Sequence, residues 1–328
     1  MIELNGNNLV FQFPEIHEDA VCRVSFQRTL RIPDDNREYP LPPGLGRFPM
    51  EHVEDHASRL PEEWVRHGGV LLPMYQSEAL WMSFSSDSEY PFALKIAAGK
   101  INAVTGEAWT NDLSAQPQDY LVVPKQPWLD GFCVQKGLIR QFVAMPLGQG
   151  YTAEEQLTGQ AQHGGLQIVA YPMKRSHYEK LMKARPPVPR MCYSMPMSSS
   201  SMGLAPGGLM RQKIYKDSYG MEAWDTNVSS RCFVHILNSG QWAEATGKGM
   251  LSPPVSASEY TTAGLPWFEY YDDSLTPLGG SQKLAGLDSV AAKSIKQGES
   301  VLKENPPVHP ANVQKLGPGS MAVKDGGW

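Results

Sequence analysis

Short runs in which apolar and polar residues alternate fill the first half of this sequence, as at 9–13, 92–97 and 138–145. A period of two places every second side chain on the same face of a β-strand, whereas an amphipathic helix needs a period of 3.6. Gly, Pro and Asn-Gly steps separate the runs, as turns separate strands. We therefore predict a mainly β fold, α+β only at its margins, built as an antiparallel β-sandwich or as barrel-like sheets. A few short helices and long Pro/Gly-rich loops complete this prediction.

Local signals predict two hairpins and three helices within this framework. Asn5-Gly6 and Gly99-Lys100 each lie between two apolar runs, as hairpin turns do. The first predicted helix spans 50–64. The second spans 153–157 and begins with a capping box, because an acidic residue follows Thr152 at the required spacing. The third spans 282–302, where four apolar residues recur at helical spacing: Leu284, Leu287, Ala291 and Ile295.

The composition changes abruptly at 184–208, which is dense in Pro, Ser, Met and Gly and is typical of a linker or a long surface loop. Its methionines offer an adaptable contact surface. The predicted units are a β-rich domain at 1–183, this loop or linker at 184–208, a smaller α+β segment packed on the first domain at 209–280, an amphipathic helix at 281–303 and an extended or disordered tail at 304–328.

Charge and hydropathy exclude several classes of partner. The formal net charge is −5 and no long block of like charge occurs, so we expect no nucleic acid partner. No apolar run approaches the roughly 20 residues that a membrane-spanning helix needs, and we expect no membrane partner. The first residues lack the basic and apolar regions of a signal peptide, which predicts a cytoplasmic protein. Four widely spaced cysteines without a CxxC pair indicate buried thiols.

Two weaker patterns suggest cofactor or metal chemistry, and we assign neither. Residues 148–153 fit the relaxed dinucleotide motif GxGxxA, but no acidic residue follows at the expected distance, so we predict a tight turn and no cofactor. His52 and His56 have the spacing of two zinc ligands on one face of the predicted 50–64 helix. The zinc-protease motif requires Glu directly after the first His, where Val53 stands, so a charged helix face is the better interpretation.

The most distinctive local chemistry is a Pro-Trp step beside carboxylates, which occurs at 126–131 and again at 264–273. A flat apolar ring buries ligand area while neighbouring carboxylates orient polar groups, as in sites for sugars or peptides. A packing role for both tryptophans is the alternative. The candidate ligand-binding residues are Trp128, Asp130, Trp267, Glu269, Tyr271 and Asp272.

The segments 126–131, 140–148 and 264–271 resemble those of a widespread microbial family of uncharacterised proteins. The resemblance implies a shared fold over most of the chain. It implies no activity and transfers no site residue.

Together these patterns favour a non-catalytic binding or assembly protein that uses the aromatic-acidic loops as contact surfaces, with a protein or a small polar ligand as partner. The alternative is a hydrolase that uses carboxylates drawn from Asp130, Glu269, Asp272 and Asp273. Carbohydrate is one candidate class of substrate for this hydrolase. A homo-oligomer formed through 281–328 is a third expectation.

Overall fold

The computed structural model describes residues 1–35, 37–183, 202–270, 275–301, 308 and 310–316, and its regular structure is mainly β. The strands up to residue 102 are β1 (Ile2–Asn5), β2 (Asn8–Gln12), β3 (Val21–Thr29), β4 (Glu38–Tyr39), β5 (Gly44–Arg47), β6 (Glu51–His52), β7 (Val70–Met74), β8 (Ala79–Ser86), β9 (Phe92–Ala98) and β10 (Ile101–Asn102). The later strands are β11 (Leu121–Val123), β12 (Trp128–Leu129), β13 (Gly131–Gln135), β14 (Leu138–Met145), β15 (Leu166–Pro172), β16 (Gly203–Arg211), β17 (Ser230–Asn238), β18 (Trp267–Tyr270) and β19 (Val313–Leu316).

The helices are short. The α-helices are α1 (Glu62–His67), α2 (Ala153–Thr158), α3 (Arg175–Lys183), α4 (Ser239–Thr246), α5 (Ala257–Thr262), α6 (Gln282–Ala285) and α7 (Val290–Gln297). The 3-10 helices are Glu54–Arg59, Asp87–Glu89, Met221–Ala223 and Pro310–Asn312. None of the helices in the described ranges is long and apolar enough to cross a bilayer.

The strands form two large sheets and one small one. The ten-stranded sheet runs β1-β2-β3-β8-β14-β16-β4, with β5 beside β3, β12 beside β8 and β13 beside β14. The seven-stranded sheet runs β10-β9-β15-β17-β7-β6, with β11 beside β9. Strands β18 and β19 pair with each other. Both large sheets contribute to one hydrophobic cluster, which contains Phe26 from the first sheet and Ile96 from the second.

The predicted mainly β class is therefore confirmed, but the pairing is mixed rather than purely antiparallel. Strands β16 with β4, β17 with β7, and β18 with β19 are parallel pairs. Alternation along one strand reports which face is buried, and it carries no information about the direction of the neighbouring strand. Strand β17 and the end of β16, from the predicted 209–280 segment, belong to the two large sheets.

Both predicted hairpin turns are present. Gly6 and Asn7 connect β1 to β2 with φ values of 52° and 63°, and Gly99 and Lys100 connect β9 to β10 with 56° and 58°. Positive φ at both central residues matches the twist of the flanking strands, as in a type I′ turn. The predicted capping box of α2 is present too, with the Glu155 amide donating to the Thr152 hydroxyl at 3.2 Å.

The predicted helix at 50–64 is wrong. Strand β6 pairs with β7, a 3-10 helix follows, and Pro61 caps the separate helix α1. The interruption lies at Val53, which is fully buried and whose amide donates to the Gly69 carbonyl at 3.2 Å. Burial of this side chain in the core outweighs the local helical pattern.

The single helix predicted at 281–303 is also wrong, because α6 and α7 are separate. Ser289 begins α7 as its N-cap, and Gly298 ends it in the left-handed conformation with φ 74°. Leu284 of α6 is fully buried, whereas Ile295 of α7 is 67% exposed, so the four apolar residues do not form one stripe. Helix α6 is anchored on β13, where the Ser281 amide donates to the Cys133 carbonyl at 2.9 Å.

Two further boundaries differ from the prediction. Strand β16 begins at Gly203, inside the range 184–208 for which a loop was predicted, because 203–208 pairs with β14. Residues 184–201 lie outside the described part. Of the predicted tail at 304–328, residues 313–316 form β19, and most of the remainder lies outside the described ranges. Three of the cysteines, Cys22, Cys133 and Cys232, are buried free thiols, as predicted.

Candidate functional site

Strand β18, from the second aromatic-acidic segment, continues the edge of the ten-stranded sheet. Beyond β4, Leu41 and Phe268 exchange two backbone hydrogen bonds, with N–O distances of 2.8 and 2.9 Å. On its other side β18 pairs with β19, so that Glu269 lies opposite Lys315. Because side chains alternate along a strand, Trp267 and Glu269 share one face of β18, and Phe268 and Tyr270 share the other.

The structure brings the two aromatic-acidic segments together. The ring of Trp128 on β12 meets the ring of Tyr270 edge-on, with centroids 4.9 Å apart and planes at 69°. Trp128 remains partly exposed. This contact joins the segments, although they are far apart in sequence.

Two buried glutamines fix the backbone around Trp128. Gln126 and Gln212 donate to the Trp128 carbonyl oxygen at 2.9 and 3.3 Å, and the Asp130 amide donates to Gln212 Oε1 at 3.0 Å. Gln126 Oε1 also accepts from the Tyr215 amide at 3.1 Å. Both glutamines are positioning residues that the sequence analysis missed, because nothing in the sequence distinguishes a buried glutamine from an exposed one.

Asp130 is a buried carboxyl group, only 4% exposed. Burial raises its pKa from 3.8 to about 7, and hydrogen bonding from the side chains of Trp128 and Gln212 opposes this shift. Its Oδ2 atom is buried and has no hydrogen-bond partner among the described residues. Asp130 therefore changes charge near neutral pH.

Glu269 is held by an ion pair rather than standing free. Arg211, the last residue of β16, donates from Nη1 to Glu269 Oε1 at 2.7 Å. The Glu269 side chain is 15% exposed and that of Arg211 is 39% exposed. Arg211 Nε is buried without a hydrogen-bond partner in the described ranges, so not all donors of the guanidinium are paired.

Trp267 is a core residue in this structure. It is fully buried, with Tyr39 and Tyr260 ring centroids at 6.3 and 6.1 Å. Its indole Nε1 is buried and has no acceptor among the described residues. The packing role that the sequence left open fits this position, because a fully buried ring presents no surface to a ligand.

A pocket of about 390 Å³ lies along β18 and is open to solvent. We call it the β18 pocket. Its lining residues come from the edge of the ten-stranded sheet and from the β18-β19 pair, and they are Arg37, Glu38, Tyr39, Pro40, Arg211, Glu269, Val308, Val313 and Lys315. The lining combines three cations and two carboxylates with apolar and aromatic walls. Such a combination suits a small ligand that is both polar and partly apolar.

The structure does not describe every predicted site residue. Tyr271, Asp272 and Asp273 lie outside the described residues. His52 and His56 lie on β6 and on the following 3-10 helix, so the predicted common helix face does not exist. In the described part of the chain, no group of three or more His, Cys, Asp or Glu residues is arranged to hold a metal ion.

The backbone amides of the glycine loop at 148–153 donate to a carboxylate of the same chain. Glu155 Oε1 accepts from the amides of Gly148 and Gly150 at 2.8 and 2.7 Å, and Oε2 accepts from the Thr152 amide at 3.1 Å. A carboxylate of the same chain thus occupies the place that a phosphate takes in a dinucleotide loop. The GxGxxA pattern forms the turn that leads into α2.

Comparisons with family models, with curated proteins and with solved structures find no match to this chain.

Proposed function

We propose that this protein is a non-catalytic binding protein that takes a small polar ligand in the β18 pocket. The observation that carries the proposal is the lining itself, in which the Arg211–Glu269 ion pair lies among apolar walls in a concavity of about 390 Å³. Pockets that bind small molecules combine apolar area with a few polar groups in this way.

Unsatisfied buried atoms around the pocket support the proposal. Asp130 Oδ2, Arg211 Nε and Trp267 Nε1 are buried without a hydrogen-bond partner among the described residues. Most buried polar atoms in folded proteins are paired, and each unpaired one costs about 1–3 kcal/mol. Of these three residues, Arg211 lines the pocket and Trp267 lies on β18, whereas Asp130 does not line the pocket.

In this proposal the Trp128–Tyr270 contact stabilises β18 on the face opposite to Glu269. Tyr270 follows Glu269 on β18 and points to the opposite face, where it packs against Trp128. Packing on that face fixes the position of the strand that carries Glu269. Trp128 is then a positioning residue, and the Arg211–Glu269 pair is part of the surface that the ligand covers.

The experiment is a thermal-shift and calorimetry screen of the full chain against sugars, amino acids, organic acids and short peptides. A ligand at about 100 times its Kd should stabilise the protein by roughly 2.7 kcal/mol. We expect Arg211→Gln to weaken binding of the ligand by at least about tenfold, since a hydrogen bond to a charged group is lost. The matched control is Arg175→Gln, which removes another arginine ion pair on the exposed helix α3.

Equal affinity in Arg211→Gln and Arg175→Gln would contradict the assignment of the pocket. A screen in which no compound stabilises the protein would contradict the proposed function.

A hydrolase is the second candidate, and one observation favours it. The pKa of Asp130 is raised to about 7 by burial, as expected of a general acid. Against it, Asp130 does not line the pocket, and Glu269 is bound by Arg211. If the protein is a hydrolase, Asp130→Asn or Glu269→Gln should lower turnover by orders of magnitude while the protein stays folded. Turnover of a screened compound that survives both substitutions would exclude this mechanism.

A further inference from the structure

The β18 pocket contains one pair of charges that neutralise each other and further charges whose side chains lack such a partner. Arg211 and Glu269 form an ion pair at 2.7 Å and neutralise each other. Glu38 and Lys315 line the same pocket from β4 and β19, and neither side chain has an ion-pair or hydrogen-bond partner within the described ranges. The Arg37 side chain has only a long contact of 3.7 Å, to Asp35. The pocket therefore offers a ligand at least one unpaired carboxylate and one unpaired cation.

The strand arrangement separates these two unpaired charges. Glu38 lies on β4, which pairs with β16, whereas Lys315 lies on β19 at the far side of β18. The Arg211–Glu269 pair comes from the strands β16 and β18. A ligand that reaches both unpaired charges must carry opposite charges at two points.

The signs of the lining charges also discriminate between ligand classes. An anion without a positive group would bring a negative charge close to Glu38 and Glu269, and a cation without a negative group would face Arg37 and Lys315. A neutral sugar would cover these charges without compensating them, which costs free energy. Like charges brought together in a partly desolvated pocket are repulsive, and this repulsion is a source of specificity.

We propose that the ligand of the β18 pocket is a small zwitterion of the α-amino acid or short peptide class. Its carboxylate contacts Lys315 and its ammonium group contacts Glu38. The apolar walls formed by Tyr39, Pro40 and Val313 take its side chain. A volume of about 390 Å³ has room for a ligand of this size. This inference rests on the proposed function, because it specifies the ligand of the same pocket.

The test compares three molecules of one shape by calorimetry: leucine, which carries both charges, 4-methylpentanoate, which carries only the carboxylate, and isopentylamine, which carries only the ammonium group. Glutamate with glutarate, and a dipeptide with its N-acetyl derivative, extend the comparison to acidic and longer ligands. We expect a zwitterion to bind at least about tenfold more tightly than either of its single-charge analogues, since each analogue lacks one charge-assisted hydrogen bond.

Two substitutions test which residue contacts the carboxylate of the ligand and which contacts its ammonium group. Lys315→Gln should reduce the preference for a zwitterion over its amine analogue, because the carboxylate loses its partner. Glu38→Gln should reduce the preference over the carboxylate analogue. The matched controls are Lys283→Gln and Glu107→Gln, an exposed ion pair at 2.6 Å whose residues do not line the β18 pocket. Both controls should keep the zwitterion preference of the unmodified chain.

The outcomes separate this inference from the proposed function. Equal binding of a zwitterion and its single-charge analogues, or sugar binding lost in Arg211→Gln, would overturn the zwitterion class and leave a binding pocket. Unchanged preferences in both Lys315→Gln and Glu38→Gln would also overturn it. If none of the compounds binds and none stabilises the protein, both the inference and the proposed function are wrong.

Discussion

Trp128 and Tyr270 meet edge-on at 4.9 Å, and this contact joins the two aromatic-acidic segments of the chain. On one side of it, the amide of the buried Asp130 donates to Gln212. On the other side, β18 presents Glu269 to Arg211 in the pocket. The packing of one aromatic pair thereby connects the buried carboxyl group to the strand that lines the pocket.

Trp128→Ala should lower the free energy of unfolding by about 2 kcal/mol, less than for a fully buried tryptophan because Trp128 is partly exposed. Trp128→Phe keeps an aromatic ring against Tyr270 and should recover at least half of the loss. Urea denaturation of both variants measures the difference. If Trp128→Ala costs no more than Trp128→Phe, the ring contact does not stabilise β18.

Asp130→Asn should change how stability depends on pH. Because folding raises the pKa of Asp130 from 3.8 to about 7, the folded protein binds the extra proton between these values, and stability falls as pH rises through this window. The loss is at most about 4 kcal/mol. We therefore expect Asp130→Asn to match the unmodified protein near pH 4 and to exceed its stability at pH 8.

The measurement is the free energy of unfolding at several pH values between 4 and 8. Glu222→Gln, which removes an exposed carboxylate, is the control and should show no such change. A pH dependence that is identical in Asp130→Asn and in the unmodified protein would mean that the carboxyl group titrates at its ordinary pKa.

His235→Gln should act in the opposite direction. Burial lowers the pKa of His235 from 6.5 to about 4. Between these pH values the unfolded chain therefore binds a proton at this histidine that the folded protein does not bind. Stability is therefore lost as pH falls from about 6.5 to 4, by at most about 3 kcal/mol. The substitution should remove this acid sensitivity, with Gln still able to donate to the Gly68 carbonyl, which lies 3.0 Å from His235 Nε2.

Denaturation midpoints at pH 5 and pH 7.5 test this expectation, with His52→Gln as the exposed control. An unchanged difference between the two midpoints in His235→Gln would show that another group causes the acid sensitivity.

Gly131→Ala should destabilise the protein by about 3 kcal/mol or more. A Cβ atom at Gly131 would lie 1.9 Å from the Arg140 carbonyl oxygen, so β13 and β14 would have to separate next to Asp130. Gly249→Ala is the control, because a Cβ there meets nothing within 4 Å. Thermal denaturation compares the two, and equal melting temperatures would refute the close approach of the strands.

Local patterns in the sequence determine the mainly β class, the hairpin turns at Gly6 and Gly99, and the capped start of α2. Each depends on a few neighbouring residues, through a period of two, a positive φ or a side chain that caps a helix. The same patterns drew attention to Trp128, Asp130 and Glu269 as a distinctive set of residues.

Only the tertiary structure decides what these residues do together. Gln212 holds the Asp130 amide, Arg211 forms the ion pair with Glu269, and Val53, which interrupts the predicted 50–64 helix, is buried in the core. All three effects come from segments distant in sequence, and the free energy of burial exceeds the local preferences that a sequence pattern reports. The alternating runs therefore determine that strands form, and long-range packing determines which strands become neighbours and which charges meet.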